Sequence, residues 1–140
     1  MAFTPYKYLK GQPPLLELPA SNGGSSAAYT VGQALVFSSG KLTTVAENVG
    51  QDTDEGIHFI CMEDVTVTTD ATLITVMKAD ENIEWETQNG AAATDLAIGA
   101  KYIIDTDAKS IVDTTTKGCF MVTYTAGTDD GDVARGIFVE

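Results

Sequence analysis

Every proline of this chain falls within its first 19 residues: Pro5, Pro13, Pro14 and Pro19. Proline fixes φ and pre-extends the backbone, so that opening segment reads as extended and irregular. It also carries Phe3, Tyr6 and Tyr8, with Lys7 and Lys10 against a single acid, Glu17. Ser21-Asn22-Gly23-Gly24-Ser25-Ser26 follows, a flexible connector by composition. Beyond it the chain is acidic, threonine-rich and patterned in strand-length runs. The sequence therefore predicts an extended arm and connector over residues 1–26, tethered to one all-β domain over residues 27–140.

Alternation of apolar and polar residues, with Val, Ile, Thr and aromatic enrichment, sets the expected strands. They are Val31–Ser38, Lys41–Ala46, Gly56–Met62, Val65–Thr68, Thr72–Lys78, Ile83–Thr87, Lys101–Asp105, Ser110–Asp113, Cys119–Thr125 and Arg135–Val139. Turn residues separate them at Ser39-Gly40, Thr69-Asp70, Gln88-Asn89-Gly90 and Asp129-Asp130-Gly131-Asp132. A short helix is conceivable over Ala91–Ala97 alone. Many short strands with tight turns predict a small β-barrel or β-sandwich. In Leu73–Lys78 both faces are apolar, which requires cover on both sides by a second sheet or a neighbouring subunit.

A repeat is also visible. Val31–Phe37 echoes Ile98–Ile104 at an offset of 67, and each run leads into a polar turn and a second short strand. Each unit then continues with glycine and an apolar run, from Gly56 in one and Gly118 in the other, across a connector five residues shorter in the second unit. Such a pattern suits a barrel built from two similar halves.

The formal net charge is −12, and it is unevenly placed. Residues 1–46 sum to +2 and residues 47–140 to −14. A strongly acidic body repels phosphate, which argues against nucleic-acid binding. No run approaches the ~20 apolar residues of a membrane helix, and Leu15-Leu16-Glu17-Leu18 is too short for a secretory core, so synthesis in a cytoplasm is expected. Cys61 and Cys119 sit inside apolar runs and are expected as reduced, buried thiols.

Candidate chemistry is sparse. His58 and Cys61 stand three apart on one expected strand, so their side chains leave opposite faces and make a poor dyad. Glu84 and Glu86 share a strand face around Trp85, as paired carboxylates in glycoside hydrolases can. With one tryptophan and no third acid, a polar outer face is the better reading. Asp105-Thr106-Asp107 and Asp129-Asp130-Gly131-Asp132 lack calcium-loop spacing and read as turns, as does the exposed cluster Asp52–Glu55. No cofactor or metal site is expected. The remaining candidate is the opening segment, where Phe3, Tyr6, Lys7, Tyr8, Leu9, Lys10, Pro13, Pro14, Leu15 and Leu16 combine aromatic anchors, cations and pre-extended backbone. That is the chemistry of a partner-binding arm.

The layout resembles the head decoration, or cement, proteins of tailed bacteriophages. The resemblance rests on a proline- and aromatic-containing start leading into Tyr29–Leu35 and then Ser39-Gly40-Lys41-Leu42-Thr43. It continues through Phe59–Asp64, Gly99-Ala100-Lys101-Tyr102, Gly118 and the terminal Arg135–Val139. It implies a structural protein, not an enzyme, that binds the major capsid protein on the outside of the expanded head. It also implies a homo-oligomer, a trimer in many such proteins, with the arm as a contact region. A tail-fibre or carbohydrate-binding β-module and, further off, a glycoside hydrolase are the competing readings.

Overall fold

The computed structural model describes residues 2–44, 59–90, 96–105, 107–112 and 118–139. His58, the Asp52–Glu55 cluster and most of the Ala91–Ala97 segment lie outside them. The described residues form strands and no helix: β1 (Thr4–Tyr8), β2 (Leu16–Ala20), β3 (Ala27–Tyr29), β4 (Ala34–Ser38), β5 (Lys41–Thr44), β6 (Phe59–Cys61), β7 (Val65–Val67), β8 (Thr72–Lys78), β9 (Ile83–Gln88), β10 (Lys101–Ile104), β11 (Ile111–Val112), β12 (Phe120–Thr125) and β13 (Val133–Phe138). The all-β expectation holds, and so does the barrel.

The first half closes on itself. β2, β5, β4, β6 and β8 form a barrel in that order, sealed by a parallel pairing of Ala20 with Leu42. β3 and β7 pair as a separate two-stranded ribbon. Period-two alternation fills the interior with Leu35, Leu42, Cys61, Ile74 and Val76, and Tyr29 reaches in from β3. Its buried hydroxyl donates to the Ser21 carbonyl at 2.5 Å.

The second half repeats this plan. β9, β13, β12, β10 and β11 follow one another in a sheet, and an isolated parallel bridge from Asn89 to Ile111 returns β11 to β9. Three hydrogen bonds that define the plan recur. Gly32 N–H donates to Cys61 O at 2.8 Å, and Gly99 N–H to Val122 O at 2.7 Å. Cys61 N–H meets Gln33 O at 2.9 Å, and Val122 N–H meets Ala100 O at 3.0 Å. The closing contacts correspond as well: Ser21 N–H to Leu42 O at 2.9 Å, and Gly90 N–H to Ile111 O at 2.7 Å. Gly32 and Gly99, at φ of 82° and 88°, turn the chain at the same place in each unit, a conformation L side chains resist. The repeat is therefore one of structure, with a correction to its alignment. Phe120 takes the place of Phe59, so the offset falls from 67 at the glycines to 61 here, and the second connector is six residues shorter, not five.

The two barrels share one large apolar cluster. Ala34, Val36, Ile60 and Met77 alternate with the first barrel's interior residues, so they face outward and meet Trp85, Tyr102, Ile104, Phe120 and Phe138 of the second. Ala34 N–H also donates to Ala108 O at 2.8 Å. The two-faced apolar strands are thus covered by the second sheet. Leu73, 57% exposed, escapes that cover.

The opening segment departs from expectation. It is extended but it is not a tethered arm, and the division at residue 26 does not hold. β1 lies antiparallel along β9, with Thr4 opposite Glu86 and Tyr8 opposite Ile83. β2 is a wall of the first barrel, paired with β8 from Leu16–Val76 to Ala20–Thr72. The prolines occupy places a sheet tolerates. Pro5 stands on an edge strand beside an irregularity, Pro13 and Pro14 lie in the β1–β2 loop, and Pro19 is on a strand whose far edge is paired, among the described residues, at Ala20 alone. The glycine-serine connector is a hydrogen-bonded turn. Asn22 Nδ2 donates to Thr68 O, and the Asp70 carboxylate accepts from Asn22 N–H and pairs with Lys41.

Candidate interaction surface

Phe3 is the deepest of the ten predicted contact residues and is unavailable to a partner. It is 2% exposed, with ring centroids 5.5 Å from Phe120 and 5.2 Å from Phe138. Tyr8 packs against the same cluster and Pro13 is half-buried. Tyr6, Lys7, Leu9, Lys10, Pro14, Leu15 and Leu16 are exposed. Of these, Tyr6, Leu9, Leu15 and Leu16 are large apolar side chains that are 50%, 49%, 55% and 36% exposed. The segment is held in place, since Leu9 N–H donates to Asn82 O at 2.8 Å.

The register of four strands builds a ladder beside it. Arg135 on β13 lies opposite Glu86 on β9 and Tyr124 on β12, and the β1 irregularity between Pro5 and Lys7 brings Tyr6 alongside. Arg135 Nε donates to Glu86 Oε2 at 2.8 Å, and its guanidinium stands 3.8 Å from the Tyr6 ring centroid and 4.6 Å from that of Tyr124. Tyrosine and arginine in this arrangement offer broad contact area with few rotamers left to freeze. Sequence reasoning missed Arg135 and Tyr124. Alternation places Arg135 outward, but its neighbours follow from cross-strand register, which no local pattern encodes.

The catalytic candidates are committed elsewhere. Glu84 accepts from Thr123 Oγ1 at 3.2 Å, and Glu86 is the partner of Arg135. Trp85 between them points into the core. Asp107 Oδ1 accepts from Lys109 N–H and Ser110 N–H, and Asp132 Oδ2 from Asp129 N–H, as turn-forming aspartates do. Among the described residues no group of three or more His, Cys, Asp or Glu side chains is placed to hold a metal. No protein-family model matches the chain, and no curated protein is detectably similar to it.

Both cysteines are free and buried. Burial raises the Cys61 thiol and pushes Cys119 from its ordinary 9.0 up to about 12. Neither is expected to react with a thiol-specific disulfide reagent at pH 8 in the folded protein, and both should react once it is unfolded. The raised Cys119 value makes its contribution to stability fully present below pH 9 and lost as pH rises from 9 toward 12, because the unfolded chain then releases a proton that the folded one holds. Unfolding midpoints across that window check the sign.

Proposed function

We propose that this protein decorates the outer surface of an expanded tailed-phage head, as a homotrimer, and braces the shell of major capsid protein beneath it. The observation that carries the reading is the row of exposed apolar side chains Tyr6, Leu9, Leu15 and Leu16, held on a braced strand and loop beside the Arg135 ladder. A fixed surface loses little entropy on docking, and repetition over a symmetric lattice multiplies modest contacts. The resemblance to cement proteins supplies the identity of the lattice. The acidic body would keep decorated particles apart. A glycan-binding reading draws on the same tyrosines, but Arg135 covers a face of each ring.

Mixing the protein with matched, expanded and undecorated heads should carry it into the pellet on sedimentation. A Tyr6→Ser, Leu9→Ser, Leu15→Ser variant should remain folded and stay in the supernatant. If the native protein stays in the supernatant, the cement reading fails. If the variant sediments equally, this surface is not the contact. Light scattering of the free protein tests the trimer.

A further inference from the structure

Among the described residues, the two barrels differ in what lies along the closing strand. The hairpin that seals each barrel reaches, among the described residues, only the end of that strand, at Ala20 of β2 and at Asn89 just past β9. In the second barrel the stretch before it, Ile83–Glu86, is covered by β1, and Phe3 fills the mouth between Phe120 and Phe138. Leu16 pairs with Val76 as Trp85 pairs with Gly136, so the covered stretch corresponds to residues 14–17 of the first barrel. Pro14, Leu15, Leu16 and Glu17 are all exposed there, and the described residues pair no strand to that edge. The equivalent mouth is lined by Leu16 and by Phe59, whose ring meets Phe37 at 6.3 Å, with exposed Lys78 standing where Phe138 stands in the other barrel.

We propose that the Pro14–Pro19 edge of the first barrel is an acceptor for an extended segment of another protein, added antiparallel to β2, with an aromatic side chain seated against Leu16 and Phe59 beside Lys78. The second barrel shows what such an edge takes: a short strand led by a phenylalanine. Main-chain hydrogen bonds would supply affinity and the aromatic seat selectivity, with the Lys78 ammonium favouring a ring over an aliphatic group. The chain's own strand is not free to do this, because withdrawing Phe3 would open the shared core. The proposal holds whichever lattice the protein binds.

The probe is a synthetic peptide of residues 1–12, titrated into the full-length protein and followed by amide exchange. The expected result is saturable binding with new protection at Leu15 and Glu17, whose N–H groups point away from β8. A Phe3→Ala peptide should bind about tenfold more weakly, as should the native peptide to a Leu16→Lys protein whose melting is unchanged. Absence of saturable binding overturns the proposal. So does protection that changes at residues 83–86, which would mean the peptide had replaced β1. Concentration-dependent protection of Leu15 and Glu17 without peptide, with a doubled mass, would assign the edge to a second copy and also overturn it.

Discussion

Replacing Phe3 with alanine is expected to lower the unfolding free energy by about 3–5 kcal/mol, the usual range for removing a buried phenylalanine. The ring is 2% exposed and stands within 5.5 Å of Phe120 and Phe138, centroid to centroid. Its removal leaves a hole between the barrels that rigid strands cannot fill by collapse. Total stabilities of small proteins are about 5–15 kcal/mol, so the loss is a large fraction of the whole. Tyr6, three residues on and half exposed, provides the control: Tyr6→Ala forfeits stacking on Arg135 and should change stability by no more than about 1 kcal/mol. Denaturant midpoints of the two variants decide the matter. Equal, small shifts would mean that the opening segment is not anchored through its first aromatic residue.

That contrast shows where sequence reasoning succeeds and where it stops. Thr72–Lys78 appears with its expected bounds, because seven strand-forming residues between turns leave little choice. Ile83–Gln88 follows its alternation, with Ile83, Trp85 and Thr87 buried and the glutamates turned outward. β1 and β2 were illegible because prolines argue against strands, and the argument weakens only where an edge goes unpaired. Whether an edge is paired is a property of topology, so Pro5 and Pro19 could not be read locally. β3 has three residues, too few for a period to register. Exposure along the opening segment was half legible: Tyr6, Leu9, Leu15 and Leu16 stand exposed as expected, but Phe3, expected outward, points in.

The duplication explains why a chain so poor in reactive groups still presents a distinctive surface. Two barrels of one plan pack wall against mouth, and the contact uses up the outer face of the first and the open end of the second. What remains is unequal: the second barrel keeps an outer face carrying the Arg135 ladder, and the first keeps, among the described residues, a closing-strand edge over 14–17 that no strand pairs. β1 occupies the junction, so it buries an aromatic inward while turning Tyr6 out. The short stretch from Phe3 to Tyr8 therefore serves both stability and presentation, with the irregularity between Pro5 and Lys7 setting Tyr6 outward.

Deleting residues 1–20 should have the largest effect of all, abolishing cooperative folding. The truncation removes β2, and with it the five register pairs from Leu16–Val76 to Ala20–Thr72 that seal the first barrel. The interior side chains Leu42, Ile74 and Val76, now at most 1% exposed, would face water, and each forfeits about 1.5–3 kcal/mol of burial. Adding the loss of Phe3 brings the sum to the whole stability of an ordinary domain of this size. The bared edges of β8 and β9 would also present unpaired donors and acceptors, which invites aggregation. Deleting residues 1–8 is the milder cut. It exposes β9 and empties the junction but leaves β2 in place, so a weakened, cooperative transition should survive. Near-ultraviolet circular dichroism of the buried Trp85 and binding of a hydrophobic dye separate the two outcomes. A 1–20 deletion that melts cooperatively near the native temperature would show that the barrel closes without β2. The opening segment would then be an appendage after all.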